Sequence, residues 1–240
     1  MLGWTVGISP FRIQSRPVSA ARRLLLFTKP AREGRVKTRL IGDLTAAEAA
    51  ALHAAFLADL LDRLREGDFE LQLAWALDDQ DEIPAGQVPG VRQQGDDLGE
   101  RLYRALSEGA RDGSMVMALG SDHPTLPLML IHEAFERLEK GAEVVLGPAE
   151  DGGYYLIALQ PHAVDRGLFR DISWSTGRVL SETLDRCGSL AVELLPPASD
   201  VDTPEDLRRL AARMSLDDLG CPRTRELLLA WQRLPVEGTT

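Results

Sequence analysis

LLLFTKPAREGRVKTRL, Leu24 to Leu40, runs from an apolar stretch straight into a cluster of cations. Leu24–Phe27 is short and continuously apolar, the pattern of a strand buried on both faces. Lys29, Arg32, Arg35, Lys37 and Arg39 follow, with Glu33 as the one acid among them. In an open α/β sheet, ligands bind beyond the carboxyl ends of the strands, and this loop is placed to do that. Lys29, Lys37 and Arg39 could grip phosphate, Lys as a compact charge and Arg as a bidentate fork. Gly34 would let the backbone come close to a ligand. The competing reading is a solvated charged loop. The spacing is neither a Walker motif nor G-x-G-x-x-G.

The rest of the chain supports the sheet. Thr45 and Glu48 read as a capping box, and Leu52, Phe56, Leu60 and Leu64 carry a helix to about Glu66. Glu70–Leu77 alternates as a strand, and a short strand is expected near Val91. Asp97 and Glu100 open a helix to about Arg111. Met115–Gly120 is a strand that ends at "SDHP". Pro127 suits the first turn of the next helix. "EVVLG", "YYLIAL" and "LAVELL" are strands, with a helix near Thr176–Arg186 before the last. Thr203 is an N-cap with Pro204 at the first helical position, and Arg223–Leu234 is a final amphipathic segment. Strands alternating with helices predict a largely parallel sheet covered on both faces.

The chain has 240 residues and a formal net charge of −10, with 44% hydrophobic and 27% charged residues. Those values suit one large α/β domain, or at most two small ones. Acidity argues against nucleic-acid or anionic-membrane binding, so an anionic ligand needs a local basic site. No apolar run is long enough to span a membrane. Cys187 and Cys221 lack zinc or disulfide spacing, and a reducing cytoplasm is the expected location. Residues 1–23 hold four arginines and no acid. They read as a loose extension, consistent with an over-early start codon. The domain is placed at 24–213, with 214–240 as a helical extension packed on it.

Three more segments carry candidate chemistry. Asp122 in "GSDHP" closes an apolar strand, where a carboxylate could hold Mg²⁺ together with substrate phosphates; a turn or N-cap role competes. Asp200 and Asp202 flank Val201, and alternation puts both carboxylates on one side. Either could complete a metal site, or Asp202 could simply introduce the next helix. In "GPAEDGGYYLIAL", Asp151, Gly152 and Gly153 form a turn with exposed amides. In "SWSTGR", Ser175 and Thr176 stand at a helix start, an anion site or a cap.

Taken in order, "TKPAREGRVKTRL", "QQGDDLGERL", "LGSDHPTLP", "GPAEDGGYYLIAL", "ISWSTGRVL" and "DVDTPEDL" closely resemble the bacterial DUF2064 family. Its members are described as glycosyltransferase-like or radical-SAM/selenodomain-associated transferases. The resemblance runs from about Leu24 to Arg213. It implies a GT-A-like three-layer sandwich, similar to enzymes that use nucleotide-activated donors, with molybdenum-cofactor and 2-phospho-L-lactate guanylyltransferases as relatives. On that likeness Lys29, Gly34, Lys37, Thr38 and Arg39 would bind nucleotide phosphate. Asp122 and Asp202 would hold Mg²⁺ or Mn²⁺, and Asp122, Lys37 and Asp202 would carry catalysis. Asp151, Gly152, Gly153, Ser175 and Thr176 would face the acceptor.

Two departures stand out. The first loop has Gly34 alone rather than paired glycines, and Gly120-Ser121-Asp122 stands where GT-A glycosyltransferases carry D-x-D. His123 occupies a place where a small or aliphatic residue is expected. The expectation is a metal-dependent transferase moving a sugar from a nucleotide-linked donor to a small acceptor. Nucleotidyl transfer to a phosphorylated acceptor, with pyrophosphate release, is the close alternative. A non-catalytic nucleotide-binding protein is a further rival, against which both aspartates speak. A homodimer is left open.

Overall fold

The computed structural model describes residues 21–234. Most of the N-terminal extension therefore lies outside the described residues. The first strand, β1 (Arg22–Thr28), begins two residues before the apolar run. Leu24 and Leu26 bury on one face and Leu25 on the other. All three are at most 2% exposed, which stabilises the fold by roughly 2 kcal/mol per side chain. A strand packed on both sides has no polar face, so the run is continuous rather than alternating.

Helix α1 (Ala46–Leu64) starts at the full Thr45–Glu48 capping box. Strands β2 (Glu70–Trp75) and β3 (Gly90–Arg92) follow, then α2 (Leu98–Gly109), whose first turn is capped by the Asp97 side chain. Strand β4 (Met115–Gly120) leads to α3 (Leu128–Glu139), with Pro127 one place before the first helical residue rather than inside it. Strands β5 (Val144–Pro148) and β6 (Tyr154–Leu159) form a hairpin through the Asp151 turn. Helix α4 (Val179–Cys187), strand β7 (Val192–Leu194), α5 (Pro204–Met214) and α6 (Pro222–Ala230) complete the chain.

The seven strands order as β3-β2-β1-β4-β6-β5-β7. Only β6 is antiparallel to its neighbours. Helices α1 and α3 cover one face and α2 and α4 the other. The protein is thus a three-layer α/β sandwich with a mostly parallel sheet. A third apolar cluster joins α1, α5 and α6 through Phe56, Leu210 and Leu228. Asp59 of α1, with a fully buried side chain, accepts from the Arg223 and Thr224 amides and the Thr224 hydroxyl. That contact caps α6 and docks it.

The order of the strands places the site. From β1 the sheet grows outward through β2 and β3, and the chain then returns to the other side of β1 as β4. Connections leaving β1 and β4 diverge, and a crevice opens at their carboxyl ends.

Candidate functional site

The crevice holds a cleft of about 670 Å³. Its walls come from the loop after β1 (Lys29, Arg35, Lys37, Thr38, Arg39), the loop after β4 (Ser121, Asp122), Asp202 before α5, and Ser175. A larger hollow of about 1000 Å³ lies beside α2 and β3. It contains none of these residues, and its arginines 23, 92, 104 and 111 are paired with acids or carbonyls.

Lys37 is the centre of the cleft. Its side chain is only 2% exposed. The ammonium forms a short ion pair with Asp122 Oδ1 and donates to Asp202 Oδ1 at 3.1 Å. It also lies 5.7 Å from the centre of the Phe56 ring, a cation–π distance. Arg39 reaches Asp202 Oδ2 at 3.5 Å from the solvent side. Lys37 takes a left-handed backbone, φ 46° and ψ 39°, at the start of a 3-10 turn over Thr38–Leu40. That conformation costs a non-glycine residue roughly 1–2 kcal/mol, which the two ion pairs help to sustain.

The carboxylates are fixed by their backbones. The Val201 amide donates to the Asp122 carbonyl at 3.2 Å, so the segment after β7 is tied to the segment after β4. Thr203 and Asp206 form a capping box on α5, and the Asp202 amide also donates to Asp206. Asp202 thereby stands just before a helix N-terminus, where a negative charge is favoured. Burial alone would raise the Asp122 pKa, but the adjacent Lys37 ammonium outweighs it and holds Asp122 below the usual carboxylate range. Burial would likewise depress Lys37, and Asp122 and Asp202 hold it above its ordinary value. Asp200 is pushed up to about 6 by burial and by the charges of Asp202 and Asp151.

A buried polar network lies beneath. The Ser121 hydroxyl donates to Thr28 Oγ1 at 3.1 Å. His53 Nε2 sits 3.1 Å from the Lys29 carbonyl and 3.4 Å from Thr28 Oγ1. His53 of α1 thus fastens the base of the basic loop, and burial keeps its ring below the ordinary histidine pKa. His123 is buried too, with neither ring nitrogen partnered among the described residues. Its ring packs 5.3 Å from Tyr155. Burial brings it down to about 4, so it is a neutral packing group at pH 7.

The other sequence candidates divide. Lys29 and Thr38 line the cleft, and Ser175 enters it with φ 63°. Gly34 does not line the cleft; φ 70° shows that it serves the turn. Asp151 closes its own hairpin by accepting from the Gly153 amide. Gly152, at φ 87°, packs so closely on the 173–178 loop that a Cβ would lie 2.3 Å from the Gly177 carbonyl oxygen. Thr176 folds back on Ser173 and Arg178. The helix begins at Val179 with Arg178 of "SWSTGR" as its N-cap, so Ser175 and Thr176 lie in the turn just before the helix rather than in its first turn.

Sequence reasoning missed His53 and the far wall of the cleft. Phe27, Gln93, Leu98 and Arg101 form that wall. Gln93 Nε2 donates to the Ala74 carbonyl, and Arg101 Nε to the Gly95 carbonyl. The available signal was the polar density of "QQGDDLGERL" between two elements.

The bacterial family described as "Uncharacterized protein conserved in bacteria (DUF2064)" matches residues 60–176. The crystal structure of a candidate nucleotide-diphospho-sugar transferase from Desulfovibrio desulfuricans G20 is similar over nearly the whole fold. Identity is 32%, coverage is 89% of this chain and 96% of that one, and the TM-score is 0.83. The chain belongs to the DUF2064 family. The fold alone is shared with a cytidylyltransferase from Leptospira borgpetersenii, at 13% identity, 92% and 98% coverage and TM-score 0.53. It is also shared with 4-diphosphocytidyl-2C-methyl-D-erythritol synthase from Anaerococcus prevotii, at 14%, 82% and 99%, and 0.52. No curated protein matches the chain. No helix among the described residues is long and apolar enough to cross a membrane.

Proposed function

We propose that this DUF2064 protein is a metal-dependent transferase that moves a sugar from a nucleoside-diphosphate sugar to a hydroxyl of a small acceptor. The observation that carries the reading is the meeting of Lys37, Asp122 and Asp202 on the floor of a cleft at the switch point of the sheet. A diphosphate needs cations, and Lys29, Arg35, Lys37, Arg39 and Arg101 line that cleft. The likeness to the Desulfovibrio protein supports a nucleotide-linked donor.

Asp122 and Asp202 converge on one point already filled by a cation, so the pair suits a positive charge. No group of three His, Cys, Asp or Glu among the described residues surrounds a metal position. A hard ion can be held by one or two carboxylates and completed by substrate phosphates. Mg²⁺ or Mn²⁺, held by Asp122 and Asp202, would supply positive charge to the departing diphosphate. Lys29, Thr38 and Arg39 line the cleft where they can bind the phosphates, and Lys37 adds a charge screened from water. Positive charge aimed at the departing diphosphate stabilises the leaving group. Ser175 lines the cleft, and the Asp151–Gly153 turn, packed on the same loop, would face the acceptor.

Glycosyl transfer is favoured over nucleotidyl transfer by the charge of that side. Burial and the charges of Asp202, Asp151 and Asp122 raise the Asp200 pKa, so several carboxylates stand near one another there. A phosphorylated acceptor would face carboxylates there, whereas a neutral hydroxyl would not. A product assay tests the reading. Nucleoside-diphosphate sugars and nucleoside triphosphates are incubated with the protein and Mg²⁺ or Mn²⁺. Release of nucleoside diphosphate is expected. Pyrophosphate release would reassign the reaction to nucleotidyl transfer, and no turnover or nucleotide binding with any donor would refute an enzyme. Asp122→Ala and Asp202→Ala are expected to abolish metal-dependent turnover with an unchanged circular-dichroism spectrum. Full activity in both would remove the metal assignment.

A further inference from the structure

The point where Asp122 and Asp202 converge is filled by this chain's own ammonium. Lys37 is 2% exposed and pairs with both carboxylates, so nothing can take both without moving it. The cluster nevertheless carries more negative charge than Lys37 balances. Two carboxylates share its one ammonium, and Arg39, the other cation near Asp202, is 68% exposed. The left-handed backbone at Lys37 is a sparsely populated conformation that a different set of partners could release.

We propose that Lys37 is a built-in competitor for the divalent ion, so that metal enters the site only with a nucleotide. Without nucleotide, the ammonium satisfies Asp122 and Asp202 and weakens metal binding. When a diphosphate arrives, its oxygens give the ammonium an alternative anionic partner and free the carboxylates. This rests on the proposed metal role of Asp122 and Asp202. It adds an order of assembly: the protein alone holds metal poorly, and nucleotide and metal bind cooperatively.

The probe is Mn²⁺ alone, titrated by electron paramagnetic resonance into nucleotide-free protein. Wild type is compared with Lys37→Met and with Lys37→Met/Asp122→Asn. Removing a unit charge within contact distance of both ligands should tighten Mn²⁺ binding by at least ~10-fold in Lys37→Met. The added Asp122→Asn change should reverse that gain. Wild type that binds Mn²⁺ as tightly as Lys37→Met, or more tightly, overturns the competitor role while leaving the metal site intact. A gain insensitive to Asp122→Asn, or no binding to any of the three, refutes the carboxylate metal site itself, and the competitor role with it.

Lys37→Met leaves two carboxylates without a counter-charge and is melted with and without Mn²⁺. Folding only in the presence of Mn²⁺ is itself the expected substitution of metal for ammonium. Failure to fold in both conditions shows that metal cannot replace the ammonium, and overturns the proposal.

Discussion

Lys37→Met should cost stability through Asp122 and Asp202 rather than through lost packing. Nζ lies 3.1 Å from the Asp202 oxygen and closer still to Asp122. The two carboxylate oxygens lie no more than ~6 Å apart, and removing the ammonium leaves their existing repulsion without the attraction that offsets it. At an effective dielectric of about 20, two unit charges at that distance repel by ~3 kcal/mol. Both side chains open onto the cleft, at 45% and 36% exposure, and screening by solvent reduces the repulsion to ~1–2 kcal/mol. Methionine keeps the length and apolar contacts of the lysine stem, so the loss is mainly electrostatic. Urea unfolding of wild type, Lys37→Met, Asp202→Asn and the double variant, in chelator and without nucleotide, closes the cycle. Lys37→Met is expected to lose ~1–2 kcal/mol, and Asp202→Asn should restore most of it in the Lys37→Met background. Additivity within ~0.5 kcal/mol would mean that the two side chains do not act as a pair, and the electrostatic account would be wrong.

Three further outcomes follow from the same structure. His53 is held neutral in the folded state, while an unfolded chain takes up its proton near pH 6.5; stability is therefore present above that pH and lost as pH falls below it. Urea midpoints at pH 7.5 and 5.0 should differ less in His53→Gln than in wild type, and an equal or larger difference would contradict the assignment. Gly152→Ala would drive a Cβ into the Gly177 carbonyl at φ 87°, so the acceptor KM should rise while nucleotide affinity, measured by calorimetry, stays unchanged. Asp59→Ala removes four hydrogen bonds to a buried carboxylate and should cost ~3 kcal/mol in urea unfolding; a loss under ~1 kcal/mol would show that α6 is held by its apolar face alone.

Much of the fold can be read in the sequence because its signals are local. The capping box at Thr45 and the N-cap at Thr203 form as read, since each needs only neighbouring residues; the structure adds Asp206, which completes a box with Thr203. The convergence of Lys37, Asp122 and Asp202 follows from a topological rule, that loops after parallel strands share one edge. What could not be read depends on distances across the fold. Burial of the Lys37 ammonium requires Phe56 of α1 beneath it and Val201 tied to Asp122 behind it. His53 belongs to α1, whose core pattern is apolar, and its role appears only when that helix passes under Lys29 and Thr28. Gly34 and Gly152 look alike in sequence as turn glycines. One has open space around its Cβ position, and the other is pressed against a neighbouring loop.

The basic loop also resolves into separate functions, which decides how an anion can approach. Arg32 is held by Asp78 and Asp81 and ties the loop to the end of β2. Lys37 is buried and neutralised by two carboxylates. Lys29, Arg35 and Arg39 remain exposed along the cleft. On a chain of net charge −10, an incoming diphosphate is repelled at long range and attracted only near this loop. Its first contacts must be with the exposed cations, whose pull is screened beyond about 8 Å at physiological salt. Lys37 can contribute only after its two aspartates acquire another partner. Raising salt should therefore slow nucleotide association more than it speeds dissociation. The opposite pattern in stopped-flow binding would mean that the buried lysine, not the exposed cations, governs entry.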